Sequence, residues 1–277
     1  LWVNTWRVSS ILKLTLSTLL TLPEINLFMT ADQNFDAIAG KFEANIYGST
    51  KGRLRQELFL YHLHKTIDLY SRPLRILDAG GGTGEMTRAM LALGHHVTLT
   101  DISAETLAIA KVKLANFDKV IFCHQDIISL PDAQYDVVIC HAVLEWLQHP
   151  FGVIEKLVSL VKPSGHLSLS FFNQDAQRFS NICYGNFDYV EQGMKVKNQV
   201  RLSPNNPQKP QVILDFVSSL SMQIMHKAGI RCFHDYLKDK SLQTSHFEQL
   251  KRLEIQYAEQ HPYLWLGKYF MLIGQKT

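Results

Sequence analysis

Cysteine is sparse in this chain, and what there is lies scattered. Four cysteines occur in 277 residues, at Cys123, Cys140, Cys183 and Cys232. No two form a C-x-x-C pair, which argues against a zinc ligand set or a dithiol redox motif. The twelve histidines show no H-E-x-x-H or similar spacing, so no metal is expected. Neither sign of charge dominates: 28 Lys and Arg face 25 Asp and Glu, for a net +3. So mild an excess says little by itself about a nucleic-acid partner. There is no internal repeat and no low-complexity tract. No apolar run is long and pure enough to span a bilayer, so no membrane partner is expected. The nearest approach, Ile11 to Leu22, is broken by Lys13, Thr15, Ser17, Thr18 and Thr21, and no A-x-A cleavage site follows it. Met29 opens "MTADQNFD", which reads as a natural start. Residues 1–28 are therefore expected to be a start-site extension, and residues 29–277 a single domain.

What the chain does have is core material. Hydrophobic residues make up 46% and charged residues 19%, which predicts a packed globular fold. Helical spacing appears over residues 34–47, at Phe35, Ile38, Ala39 and Phe42, and again from about Arg53 to Tyr70. From Leu74 onward the pattern alternates. Strands are expected at Leu74–Ala79, "HHVTLTD", "VIFCHQD", "YDVVICHA" and "HLSLSFFN". Helices fall between them, the last from about Val143 to Val161. Such alternation predicts an α/β fold: a Rossmann-like, doubly wound, mostly parallel sheet with ligands at the carboxyl ends of its strands. After Asn173 the regular signals thin out. Residues 174–210 read as a lid or substrate insertion, with "LSPNNPQKP" as a breaker cluster. Val212–Lys227 reads as a helix, "IRCFHDYL" as a sixth strand or its edge, Ser245–Glu259 as a helix and "YLWLGKYFMLIGQ" as a seventh strand. The domain thus divides into N-terminal helices (29–72), a cofactor-binding half (73–173), the insertion (174–210) and the rest of the sheet (211–277).

The stretch "RILDAGGGTGEM", Arg75 to Met86, is strand, glycine turn and helix start. Gly80, Gly82 and Gly84 give G-x-G-x-G. A dinucleotide site wants G-x-G-x-x-G, and Glu85 stands where the last glycine would be. A carboxylate there disfavours a pyrophosphate, and Asp78 before the glycines suits a cationic ligand end. Asp101 ends the second strand, where a carboxylate can accept from ribose hydroxyls. Asp126 ends the third, where it can accept from an adenine amino group. Three acids at successive strand ends favour S-adenosylmethionine, which has a sulfonium and an ammonium but no phosphate. A nucleotide-sugar or dehydrogenase site is the alternative. His141 and Glu145 follow the fourth strand; His141 either touches the ligand or is a packed strand-end histidine.

At "LDAGGGTG", "LTDIS", "HQD" and "HAVLEWL" the chain resembles the class I S-adenosylmethionine-dependent methyltransferases. It departs from them at "VKPSGHLSL", where Ser164 stands in place of the first of two glycines. Longer words, among them "DAGGGTGEM", "GNFDYVEQGM", "RLSPNNP", "FHDYL" and "LGKYF", resemble the branch that acts on 5-carboxymethoxyuridine in tRNA. The resemblance runs from about Gln33 to the C-terminus. It implies methylation of the wobble uridine's carboxylate to the methyl ester, S-adenosyl-L-methionine as cofactor, the tRNA anticodon loop as partner and a cytoplasmic enzyme with no obligate protein partner evident. It also implies cofactor contacts from Arg55, Gly80, Gly81, Asp101, Gln125, Asp126 and His141, with Asp78 and Gly82 added by the loop pattern. An Arg on the N-terminal helices can pair with the methionyl carboxylate.

The acceptor is already an anion at neutral pH, so no general base, and hence no catalytic residue in that sense, is expected. Orientation of the reacting atoms is the enzyme's task. Candidates for holding the acceptor are Tyr47, Lys51, Tyr184, Asn186, Tyr189, Arg201 and His234. Lys195, Lys197, Arg201 and Lys209, beside Tyr184, Phe187 and Tyr189, offer cations and aromatics for an unstacked loop. Two other functions stay open at this point: a small-molecule methyltransferase of the same fold, and a non-catalytic module that binds RNA or S-adenosylmethionine.

Overall fold

The structure is a computed structural model that describes residues 32, 34–36, 40, 48–194 and 204–277. Residues 1–28, most of the expected helix over 34–47, Tyr47, Lys195, Lys197 and Arg201 lie outside the described residues.

Helix α1 (Thr50–Thr66) starts where the Ser49 side chain accepts from the Gly52 amide, a side-chain cap for an otherwise orphaned donor. Its spacing puts Leu54, Arg55, Leu58, Phe59, His62 and Leu63 on one buried face. The sheet follows: β1 (Arg75–Ala79), β2 (His96–Asp101), β3 (Val120–His124), β4 (Tyr135–His141), β5 (Val161–Phe172), β6 (Met222–Ile230) and β7 (Tyr269–Lys276). Between them run α2 (Glu85–Ala92), α3 (Ala104–Lys113), α4 (Pro150–Ser159), α5 (Gln174–Cys183), α6 (Phe187–Glu191), α7 (Pro210–Ser219), α8 (Leu242–Ser245) and α9 (Phe247–Tyr257). The strand order is β3-β2-β1-β4-β5-β7-β6. β1 to β5 are parallel, and β7 is antiparallel to both β5 and β6. One apolar layer packs residues of α1, α2, α3 and α9 on one sheet face; the other packs α4 and α7 on the opposite face. With both faces covered, central strands such as β4 are apolar through their middle, here residues 137–140.

Several expected boundaries shift. The helix expected over Val143–Val161 is instead a 3-10 turn at Leu144–Trp146 followed by α4; Pro150, which lacks an amide donor, is tolerated only in the first turn. The expected helix over Val212–Lys227 ends at Ser219 as α7. Ser221, at φ 57°, turns the chain into β6, so "IRCFHDYL" is the exit from β6 and not the strand itself. The last strand in the chain is not at the sheet edge, because β7 inserts between β5 and β6. The sparse-looking 174–210 segment holds α5 and α6.

Candidate active site

The order reversal lies between β1, flanked by β2, and β4, and the carboxyl ends of these strands open onto a cavity. Its wall includes Arg55, Gly80, Gly82, Asp101, Gln125, Asp126 and His141. Seven of the nine expected cofactor residues are thus brought to one place. Sequence spacing does not single out Tyr269, nor Asp32 and Phe35 from the N-terminal segment, which also line it. Glu145 lines it too, a residue to which the sequence pattern gives no role.

The glycine loop turns its donors inward. The Gly80 and Gly81 amides both donate to the Thr100 carbonyl, at 2.8 and 3.1 Å, and the Gly84 amide donates to the Gly81 carbonyl at 3.0 Å. The Gly82 amide donates to Asp101 Oδ2 at 2.8 Å. A phosphate-binding loop aims such amides at its ligand; here these four are engaged within the protein. Gly80 also needs its missing side chain: at φ 68° an added Cβ would stand 2.6 Å from Val143 Cγ2. Glu85, read from sequence as the obstacle to a pyrophosphate, points elsewhere and pairs with Lys113 at 2.7 Å. The inward amides, not Glu85, are what disfavour a pyrophosphate.

Asp78 and Gly81 are not among the residues that line the cavity. Asp78 is buried beneath the loop, accepts from the Thr87 hydroxyl at 2.6 Å, and is pushed up to about 6 by that burial. It ties the loop to α2 rather than facing a ligand cation. Gly81 faces the same interior, since a Cβ there would meet the Asp78 carboxyl at 2.8 Å.

Asp101 is buried, and burial raises its pKa. Its Oδ1 accepts from the Ser103 amide and the Thr106 hydroxyl, and its Oδ2 from the Gly82 amide. A carboxylate has about four lone-pair sites, so one on Oδ2 remains. The expected pair of ribose bonds is thereby reduced to one strong one. Asp126 is held by the Ser129 amide and hydroxyl, at 2.9 and 2.6 Å, and the hydroxyl bond leads in lowering its pKa. Ile102, Ile127 and Ile128 beside it offer an apolar slot of the kind a flat base fills. The N-terminal segment covers this end: Asp32 accepts from the Gln148 amide at 2.8 Å, Asp36 from the Ser103 hydroxyl at 2.7 Å, and Phe35 meets Trp146 edge-on at 5.1 Å.

The other end of the cavity carries charge. Arg55 is buried, donates to the Tyr269 hydroxyl at 3.1 Å, and stacks over that ring with Cζ 5.1 Å from its centroid. His141 bonds the Ser168 hydroxyl through Nε2 at 2.8 Å and lies 4.4 Å from the Phe59 ring. Burial, reinforced by Arg55, pushes it down to about 3, so it is neutral. Its Nδ1 is buried with no hydrogen-bond partner among the described residues, and the same holds for both carboxyl oxygens of Glu145. Burial pushes Glu145 up to about 7. Orphaned polar atoms beside a buried Arg fit the amino-acid end of S-adenosylmethionine, which brings one carboxylate and one ammonium.

The expected acceptor residues are not gathered here. Lys51 is exposed at the start of α1, Tyr189 is half-buried on α6, and His234 is buried with Nδ1 3.6 Å from Asp235; none lines the cavity. Tyr184 and Phe187, each 60% exposed, sit at the α5–α6 junction. The Tyr184 hydroxyl donates to the Asp235 carbonyl at 2.8 Å, and Asp235 in turn pairs with Arg231 beside Tyr269. That aromatic surface therefore adjoins the charged end of the cavity.

Comparison with known proteins agrees with this geometry. A family model described as a methyltransferase domain matches residues 52–229. The tRNA 5-carboxymethoxyuridine methyltransferase of Escherichia coli (strain K12) is 40% identical over 252 residues, covering 88% of this chain and 97% of the relative. A ubiquinone biosynthesis O-methyltransferase of Vibrio cholerae is 28% identical over 174 residues, 61% of this chain and 69% of the relative. Among solved structures, the magnesium protoporphyrin IX methyltransferase of Synechocystis PCC 6803 with bound SAH aligns at a TM-score of 0.58. It is 17% identical, with 88% of this chain and 96% of that one covered, a likeness of fold.

Proposed function

The chain belongs to the tRNA 5-carboxymethoxyuridine methyltransferase family, and from that membership we propose how its residues carry out the methylation. The enzyme transfers a methyl group from S-adenosylmethionine to the carboxylate of 5-carboxymethoxyuridine in tRNA, giving the methyl ester. One observation carries the cofactor reading: a glycine loop whose amides are engaged within the protein, facing strand-end carboxylates across a cavity with a buried Arg at its far end.

The cofactor supplies an activated methyl group on a sulfonium. Asp101 accepts a ribose hydroxyl, Asp126 and the three isoleucines hold the adenine, and Arg55 takes the methionyl carboxylate. Glu145 provides negative charge for the ammonium, and His141 Nδ1 provides one further hydrogen bond. The acceptor arrives ionised, so these residues orient it, exclude water and abstract no proton. Alignment of that sort is worth about 7 kcal/mol or more. The anticodon loop approaches over Tyr184 and Phe187, whose exposed rings suit unstacked bases. Lys195, Lys197 and Arg201 add cations to that approach by sequence. The segment after β5 is then the substrate-facing part of the enzyme, and a tRNA substrate implies a cytoplasmic setting.

The test is transfer of labelled methyl from S-adenosylmethionine to tRNA carrying 5-carboxymethoxyuridine. The product should release its label as methanol under mild alkali, as an ester does. Label resistant to alkali, or transferred equally to tRNA lacking the carboxymethoxy group, would contradict the reading.

A further inference from the structure

Lys268 is, among the described residues, a partly buried cation with no direct ion pair, next to a cavity whose proposed acceptor supplies an anion. It stands immediately before β7, where that strand opens beside the carboxyl end of β5, with Tyr269 opposite Phe172. Its ammonium lies 5.1 Å from the centroid of the Phe172 ring. Phe172 packs edge-on against Tyr269 at 5.6 Å, and Tyr269 is part of the cavity wall. The side chain is half-buried, and among the described residues its Nζ makes no hydrogen bond or ion pair. The neighbouring cations have partners: Arg231 forks onto both oxygens of Asp235, and Arg55 donates to Tyr269. Burial pushes the Lys268 ammonium down from its ordinary value; Asp235, already shared with Arg231, counters this only in part, and Arg231 adds to it. A carboxylate bound there would reverse that.

We propose that Lys268 binds the carboxylate of the acceptor and selects an acid over a neutral base at the site; this rests on the function proposed above. The residue type suits the chemistry. An ammonium is a point charge and holds one carboxylate oxygen, whereas a guanidinium engages both. The other oxygen keeps its lone pair to attack. As the oxygen–carbon bond forms, the carbon–sulfur bond breaks, its electron pair stays on sulfur, and the sulfonium becomes a neutral thioether. The ester formed is neutral, so Lys268 loses its counter-ion in the product, which favours release.

The experiment compares the full-length wild type with K268M and K268R. The probes are one tRNA carrying 5-carboxymethoxyuridine and the same tRNA carrying its methyl ester. K268M should lose about 10- to 100-fold in kcat/KM on the acid, the range for a hydrogen bond to a charged group. It should bind S-adenosylmethionine and the ester tRNA as the wild type does, which also shows that it is folded. K268R should recover part of the rate. Turnover by K268M within about threefold of the wild type, a small fraction of the effect of one such bond, would overturn the assignment. So would an equal loss of affinity for acid and ester tRNA, which would mark Lys268 as a general RNA contact. A wild type that transfers no methyl to the acid tRNA removes the functional reading itself, and the inference with it.

Discussion

Asp101 shows how a residue legible from sequence acquires its limits from structure. Its place at the end of β2 marks it as a ribose acceptor, but three protein donors already reach its carboxyl. D101A should still weaken S-adenosylmethionine binding by about 1.5–3 kcal/mol, the range for a hydrogen bond to a charged group; calorimetry on the folded variant checks it, and unchanged affinity rejects the role. Glu145 has no role legible in sequence, because its burial and its lack of partners depend on β4, β5 and the 205–206 backbone meeting around it. Its folded-state pKa, about 7, lies above the ordinary 4.5. The folded chain therefore keeps this proton to higher pH than the unfolded chain. The stability linked to it is complete below pH 4.5 and is lost as pH rises to about 7. Relative to E145Q, the ligand-free wild type should lose about 1.4 kcal/mol per pH unit through that window and nothing beyond it. Urea unfolding of both proteins from below to above that window measures this, and parallel curves would show that Glu145 titrates normally. Tyr269 and Lys268 escape a reading of the sequence for a related reason. No local pattern around them signals a site; Tyr269 reaches the cavity wall only through β7's pairing with β5, and Lys268 stands just before it in the chain.

Elements are legible where one period dominates. The first five strands and the helices between them alternate cleanly, and β4 reads as central because both its faces are apolar. Legibility fails where a residue other than glycine takes a positive φ at a boundary. Ser221 turns the chain from α7 into β6 at a positive φ that its residue type does not advertise. Ser164 is the same case at a known turn. It sits at φ 60° just before Gly165, inside the bulged start of β5, where the resemblance leads one to expect glycine. A non-glycine residue in this region costs about 1 kcal/mol, so S164G should stabilise the protein by about that amount with no change in methyl transfer. A lower melting temperature for S164G would mean that the serine side chain contributes more than its backbone costs.

At the scale of the whole molecule, the sheet sets the geometry of the reaction. Parallel β1 to β4 present the proposed cofactor pocket at their carboxyl ends. Antiparallel β7 brings Tyr269 to the same edge, and the end of β6 brings Arg231. The placement of β7 between β5 and β6 is not legible in sequence, because strand order depends on long-range pairing and not on local pattern. The RNA path is predicted from sequence cations. Replacing Lys195, Lys197 and Arg201 by Ala should reduce the magnitude of the slope of log affinity for tRNA against log salt by about 0.7–0.9 for each phosphate that is no longer neutralised. S-adenosylmethionine affinity should stay unchanged, and an unaltered slope places the path elsewhere on the surface.

The reaction itself is tested most directly by nucleoside mass spectrometry of tRNA from cells that lack this protein, compared with the same cells carrying it. Without the protein the methyl ester of 5-carboxymethoxyuridine should disappear and the free acid accumulate in its place, while other methylated nucleosides stay constant. Methyl ester at its normal level in the cells lacking the protein would contradict the assignment.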